Sequence, residues 1–328
     1  MIRKFGYLML LCLTVLNLPA QNNVRLIVTE LENEAHTTLF SKNISSFLTA
    51  LNVAGYNNEK PILDNVVITE EAQQVVQKLW KDCPFVCFDE QIVQRAIQTP
   101  TNEYQVRSIH LLMKPNREQN EKIDWKKYQE GVVTIDSSGR ITNFHLAVDA
   151  ELYVKVLNSA RRVSDLQRRM LIMDYVEQFR NAYNLKDINF LQQVYSDDAL
   201  IITGRVVKVA KSDFGVATLQ EEKIEYSKQD KKTYLAKLER VFDKNERIDV
   251  VFDEIDVKIH PVQTDFYGVT LKQYWSSDTY SDEGWLFLLW DFSNPEAPQV
   301  HVRTWQPSEF QGKPLPREEV FSLADFDC

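Results

Sequence analysis

The stretch YSDDALIITG, Tyr195 to Gly204, decides how the second half of the chain folds. Before it, Ile172, Tyr175, Val176, Phe179, Ala182 and Tyr183 recur on one helical face, and a short helix fits Asp187 to Val194. After it, Ala199 to Val207 alternates as a strand. Asp197 and Asp198 therefore read as the end of a helix and a turn. Upstream, Ser164-Asp165-Leu166-Gln167 has the spacing of a capping box that starts the long helix. Downstream, the pattern predicts a helix over Lys231–Lys244 and strands over Ile248–Ile259, Phe266–Trp275, Gly284–Phe292 and Val300–Trp305. Helices followed by an antiparallel sheet make an α+β domain.

The first half shows the same order. Phe40, Ile44, Phe47, Leu48 and Leu51 form one apolar stripe, which ends in the Gly, Asn and Pro of Ala54–Pro61. Further helices fit Glu70–Trp80 and Glu90–Ile97. A strand fits Tyr104–Met113, followed by a polar loop over 114–122. A hairpin turning at Ser137-Ser138-Gly139 closes the unit. The expectation is two tandem cone-shaped domains, each with helices packed on a curved antiparallel sheet. They span residues 22–160 and 161–306, with an extended surface tail over 307–328.

The strand EGWLFLLWDF carries Trp285, Phe287 and Leu289 on one face and Leu286, Leu288, Trp290 and Phe292 on the other. A strand apolar on both faces needs cover on both. The second cover is the other domain, a second chain or a bound ligand.

A net charge of −9 from scattered acids, with no basic stripe, argues against nucleic acid as a partner. At the start, Arg3 and Lys4 precede an apolar run over Tyr7–Leu16 and then Leu18-Pro19-Ala20, the order of a signal peptide over residues 1–20. Export is the expectation. Cys83 and Cys87 either close a small disulfide around Pro84 or lie as two buried thiols. Cys328, the last residue, reads as exposed.

Asn184-Leu-Lys-Asp187, Tyr195-Ser-Asp197-Asp198-Ala199 and the strands behind them resemble the nuclear transport factor 2-like superfamily, which includes ketosteroid isomerases and SnoaL-like cyclases. The resemblance covers about 165–306, and the first half looks like a diverged copy. CPFVC, YVEQFRNAYNLKD, YGVTLKQYW and HVRTWQP also resemble exported two-domain proteins of gut Bacteroidetes. That implies a periplasmic, outer-membrane-associated or secreted protein of a Gram-negative bacterium. In the isomerases the general base falls where this chain has Thr203, and the oxyanion-donating tyrosine where it has Phe179. Threonine offers no proton-accepting form near pH 7 and phenylalanine no hydrogen bond, so isomerase chemistry is not expected.

A cavity lined by Tyr175, Phe179, Tyr183, Thr203, Tyr274, Trp290, His301, Arg303 and Trp305 is the expected ligand site. His301, Arg303 and Trp305 share one strand face, whereas Tyr274 and Trp275 face opposite ways. The five histidines have no metal-ligand spacing, so neither metal nor cofactor is expected. The functional expectation is a non-catalytic module that binds a small apolar ligand, or contacts an envelope protein or a second copy through its sheet face. The alternatives are an enzyme with an unrecognised pocket acid and a structural partner in an envelope complex.

Overall fold

The computed structural model describes residues 22–114, 127–211, 219–294 and 297–326. Residues 1–20, read from the sequence as a signal peptide, residues 115–122 of the expected polar loop, and Cys328 lie outside them. The fold is α+β, built on two six-stranded sheets.

The first unit comprises β1 (Arg25–Thr29), α1 (Glu34–Asn57), α2 (Glu70–Asp82), β2 (Phe85–Cys87), β3 (Gln91–Gln98), β4 (Tyr104–Met113), β5 (Tyr128–Ile135) and β6 (Ile141–Leu146). Its sheet runs β1-β3-β4-β5-β6, with β2 on β4. Helix α1 buries Phe40, Ile44, Phe47, Leu48 and Leu51 completely, as their spacing predicts. Residues 90–97, predicted as a helix, form strand β3 instead. Ile92 and Ala96 have helical spacing, but β3 pairs in parallel with β1 from Arg25↔Gln91 to Thr29↔Arg95. The outer edge of β1 needs acceptors for its N–H groups. Ser41, Ser45 and Thr49, one turn apart on α1, accept from Val28, Leu26 and Val24 at 2.8, 2.9 and 3.0 Å. A hydroxyl ladder on a helix thus finishes a strand.

The second unit comprises α3 (Ala150–Asn158), α4 (Val163–Asn184), α5 (Ile188–Val194), β7 (Tyr195–Lys211), β8 (Leu219–Asp230), α6 (Lys231–Lys244), β9 (Ile248–Ile259), β10 (Phe266–Ser277), β11 (Ser281–Asp291) and β12 (Gln299–Pro307). The sheet order is β8-β7-β12-β11-β10-β9. Both sheets are mixed, not wholly antiparallel, because β1/β3 and β7/β12 are parallel pairs. In the opening stretch the strand starts at Tyr195, so Asp197 and Asp198 are exposed strand residues and not a helix end. Asp197 accepts from Lys231 at 2.9 Å. Asn184 and Asp187 are anchors: Asn184 Oδ1 accepts from Val250 N at 2.7 Å, and Asp187 caps α5. The predicted capping box does not form. Arg162 occupies the α4 cap without a side-chain bond, and Asp165 accepts from Arg161 N at 2.9 Å and from Arg169 Nε at 2.9 Å.

The tail corrects the largest expectation. A hairpin, β13 (Glu309–Phe310) with β14 (Lys313–Pro314), leads into a segment that crosses the outer face of the second sheet. Leu315 and Val320 pack on Trp285. Phe321, Leu323 and Phe326 pack on Phe287, Leu289 and Val302. Arg317 lies 3.9 Å from the Trp285 ring centre, and Gln306 Oε1 accepts from Phe321 N at 2.8 Å. The second cover of β11 is the chain's own C-terminal segment.

Candidate functional site

Register identifies the inner face of the second sheet, because directly paired residues share a face. Leu286, Leu288 and Trp290 of β11 belong to the core beneath α4. They pair with Trp305, Arg303 and Val300 of β12 and with Leu271, Val269 and Tyr267 of β10. In turn, Arg303 and Trp305 pair with Ile201 and Thr203 of β7. Continuing along β10, Gln273 and Trp275 lie on the same face, and Trp275 pairs with Asp282. Trp275 stands edge-on to Tyr183, with ring centres 5.9 Å apart.

The structure therefore places Thr203, Trp290, Arg303 and Trp305 on the inner face of the second sheet, the side that Phe179 and Tyr183 of α4 cover, with Tyr175 packed on Trp290 at 5.0 Å. Two expected residues fall elsewhere. Tyr274 is on the outer face, 5.4 Å from Lys272 Nζ, and Trp275 takes the inner position. His301 sits in a bulge where the β11/β12 register shifts, so alternation breaks and its ring meets Asp291 at 3.4 Å and Asp198 at 3.7 Å. Cys83 and Cys87 are not bridged. Both are buried, and burial pushes the Cys87 thiol up to about 11. Sequence reasoning missed Tyr195, Tyr234, Gln273 and Asp282, although alternation from Trp275 points to Gln273.

Arg303 on this inner face is only 5% exposed. Tyr234 of α6 lies with its ring centre 5.0 Å from the guanidinium carbon and bonds Tyr183 hydroxyl to hydroxyl at 2.6 Å. Tyr195 stands edge-on to Tyr234 at 5.9 Å. Burial raises Tyr195 and Tyr234 well above the usual phenol range, so both stay neutral and neither is a counter-ion. Arg303 forms no ion pair among the described residues, and its Nε and Nη1 have no hydrogen-bond partner. Buried polar groups are normally satisfied. Here Tyr195 Oη, Gln273 Oε1, Asp282 Oδ1 and Trp290 Nε1, all within the second domain, are also without partners. Asp282 accepts from Tyr280 at 2.9 Å through its other oxygen, and burial holds its carboxyl above the ordinary range.

A second polar cluster lies between the two units. His145, Asp174 and Glu177 present ligand-type atoms within 4.8 Å of one another. Their bonding does not suit a metal. Glu177 Oε1 accepts from Arg107 Nη2 at 2.7 Å and Val148 N at 2.9 Å, and Oε2 from Arg107 Nη1 at 3.1 Å and His145 Nε2 at 3.0 Å. With four donors, the carboxylate has no lone pair left for a cation. Arg107 and His145 hold Glu177 down to about 2 despite burial. Gln105 adds a bond to Asp174 at 2.7 Å, and Arg180 one to Leu146 O at 2.7 Å. This cluster joins the domains. Beside it an 860 Å³ cleft runs between Phe88 and Tyr128 on one side and Asn184 and Asp249 on the other.

No family model matches the chain, and no curated protein matches it. Among solved structures, it is similar over 43% of its length to 98% of an NTF2-like protein from Cytophaga hutchinsonii, at 15% identity and a TM-score of 0.32. An NTF2-like protein of unknown function from Pseudomonas putida aligns with 44% of this chain and 92% of its own, at 14% identity and a TM-score of 0.32. Bd1075 of Bdellovibrio bacteriovorus aligns with 66% of this chain and 92% of its own, at 13% identity and a TM-score of 0.33. Similarity at these scores carries no argument about ligand or activity.

Proposed function

We propose that this chain is an exported, non-catalytic binding protein whose second domain takes a small molecule into the hollow above Arg303. One observation carries the reading. Six buried polar atoms without hydrogen-bond partners, on Tyr195, Gln273, Asp282, Trp290 and Arg303, lie inside the second domain among aromatic side chains. A fold gains nothing by stranding donors and acceptors in its core, whereas a ligand site needs them there. The positions that would carry isomerase chemistry, Phe179 and Thr203, face that interior with groups unable to perform it. Export rests on the basic, apolar and small-residue order of residues 1–20.

The test is a trade of function against stability. Arg303→Met replaces a buried charge that has no ion-pair partner among the described residues with an apolar side chain of similar length. It is expected to raise stability by about 1–3 kcal/mol and the melting temperature by roughly 5 °C. Denaturant and thermal melts read this directly. A loss of more than about 1 kcal/mol, in the same assay and on the same scale, assigns Arg303 to the architecture instead. Native mass spectrometry of protein taken from its own host is expected to show a retained small molecule, and repeatedly bare protein counts against the reading.

A second reading has one observation in its favour. Asp282 is a carboxylic acid on the inner face, with a raised proton affinity and one unpartnered oxygen, as a general acid requires. Carboxyl NMR of Asp282 separates the two, since titration in the ordinary aspartate range removes the acid.

A further inference from the structure

We infer that the ligand is a small organic monoanion, a carboxylate on a flat apolar body, with its charged end at Arg303. This rests on the binding reading above and narrows it to a chemical class. The charge of the occupant follows from what surrounds it. Arg303 is the buried cation of this interior: the phenols beside it stay neutral, and Asp282, the carboxyl that acts on it electrostatically, forms no ion pair with it among the described residues and is held above the ordinary range by burial. A cation–π contact with Tyr234 eases the desolvation of a guanidinium but does not neutralise it. Nε and Nη1 point away from different sides of the guanidinium group, so each can donate separately to an anion. The Tyr195 hydroxyl, neutral and close to those of Tyr183 and Tyr234, supplies a further donor.

A single positive charge balances one negative charge. A phosphate near pH 7 carries closer to two and would leave the excess buried, which disfavours it. A cationic ligand would meet repulsion from the guanidinium. The body of the ligand follows from the walls. Trp290 and Phe179 line the interior, and Trp275 and Trp305, each partly exposed, stand nearer solvent with Thr203. These are flat apolar surfaces suited to a planar partner. Gln273 Oε1 and Asp282 Oδ1 are unpartnered acceptors that suit a hydroxyl or N–H on the ligand away from its carboxylate.

The experiment uses the full chain at pH 7 and isothermal titration with 4-hydroxybenzoate and indole-3-acetate, each paired with its carboxamide. The amide keeps shape and loses only the charge. At least tenfold tighter binding of an acid than of its amide is expected for the natural chain. That preference should vanish in Arg303→Met and persist, weakened, in Arg303→Lys. Circular dichroism of the variants checks their folding. Equal binding of acid and amide, no binding by any of the four, or a preference that survives in Arg303→Met overturns the monoanion assignment. If those probes fail while host-derived protein carries a neutral molecule, the class is wrong and the binding reading stands. If the probes fail and host-derived protein is bare, both fall.

Discussion

Truncating the chain after Ser308 is expected to lower its stability by on the order of 5 kcal/mol and to make it self-associate. The removed segment carries Leu315, Val320, Phe321, Leu323 and Phe326, all packed on the outer face of β11 and its neighbours. Fully burying one large apolar side chain contributes roughly 1.5–3 kcal/mol, and losing several leaves little offset beyond the ordering of a short tail. What the truncation uncovers matters as much. Trp285, Phe287 and Leu289 would form a contiguous apolar strip on a sheet surface, the kind of patch soluble monomers avoid. Gly268 shows how closely the tail is fitted. A Cβ there would stand 2.6 Å from Leu323 and 2.9 Å from the Phe287 ring, so Gly268→Val should dislodge the same segment without deleting it. Urea midpoints and light scattering after size exclusion read both variants. An unchanged midpoint with an unchanged mass would show that the tail merely rests on the sheet.

That strip was legible in the sequence as a demand, though not as its answer. EGWLFLLWDF announces burial on both faces, but nothing local names the partner, because the covering residues follow Pro307 with no period of their own. Helices were read well wherever an apolar stripe held its 3.6-residue spacing, as in α1, α4 and α6. Strands that owe their form to a distant partner were not. RLIVT becomes β1 through hydroxyls on α1, and the charged LQEEKIEYSKQD becomes β8 because β7 pairs with it from Leu200↔Asp230 to Lys211↔Leu219. At the site, strand alternation places Arg303 and Trp305 together. It fails at His301 because a bulge shifts the face by one residue, and no residue there signals it. Tyr195 and Tyr234 come from a strand start and a helix, so only the closed fold shows that they meet.

Helix α4 explains why Glu177→Ala is expected to have the other large effect. One side of the helix, with Ile172, Val176, Phe179 and Tyr183, faces the core of its own domain. The opposite side, with Asp174, Glu177, Arg180 and Asn181, is bonded to the first domain through Arg107, His145, Val148 and Leu146. A helix buried on both sides must satisfy its polar face inside the protein, and Glu177 is the acceptor on which four donors converge. Removing it strands the Arg107 guanidinium against Tyr153, 3.9 Å from the ring centre, at a cost of about 3–5 kcal/mol. The pH dependence has a definite sign. Glu177 is held at about 2 in the folded chain against 4.5 unperturbed, so its contribution is complete above about pH 4.5 and fades as the pH falls toward 2. The difference between the two values is worth about 3 kcal/mol. The natural chain should therefore lose more stability than Glu177→Ala on acidification from pH 5 to pH 3, and the two curves should converge. The double change Arg107→Met with Glu177→Leu, which removes both charges and keeps the volume, should recover most of the loss at pH 7. If the single variant melts within 1 kcal/mol of the natural chain at pH 7 and follows the same acid curve, the carboxylate is not the pin between the domains, and apolar packing around α4 alone must hold them.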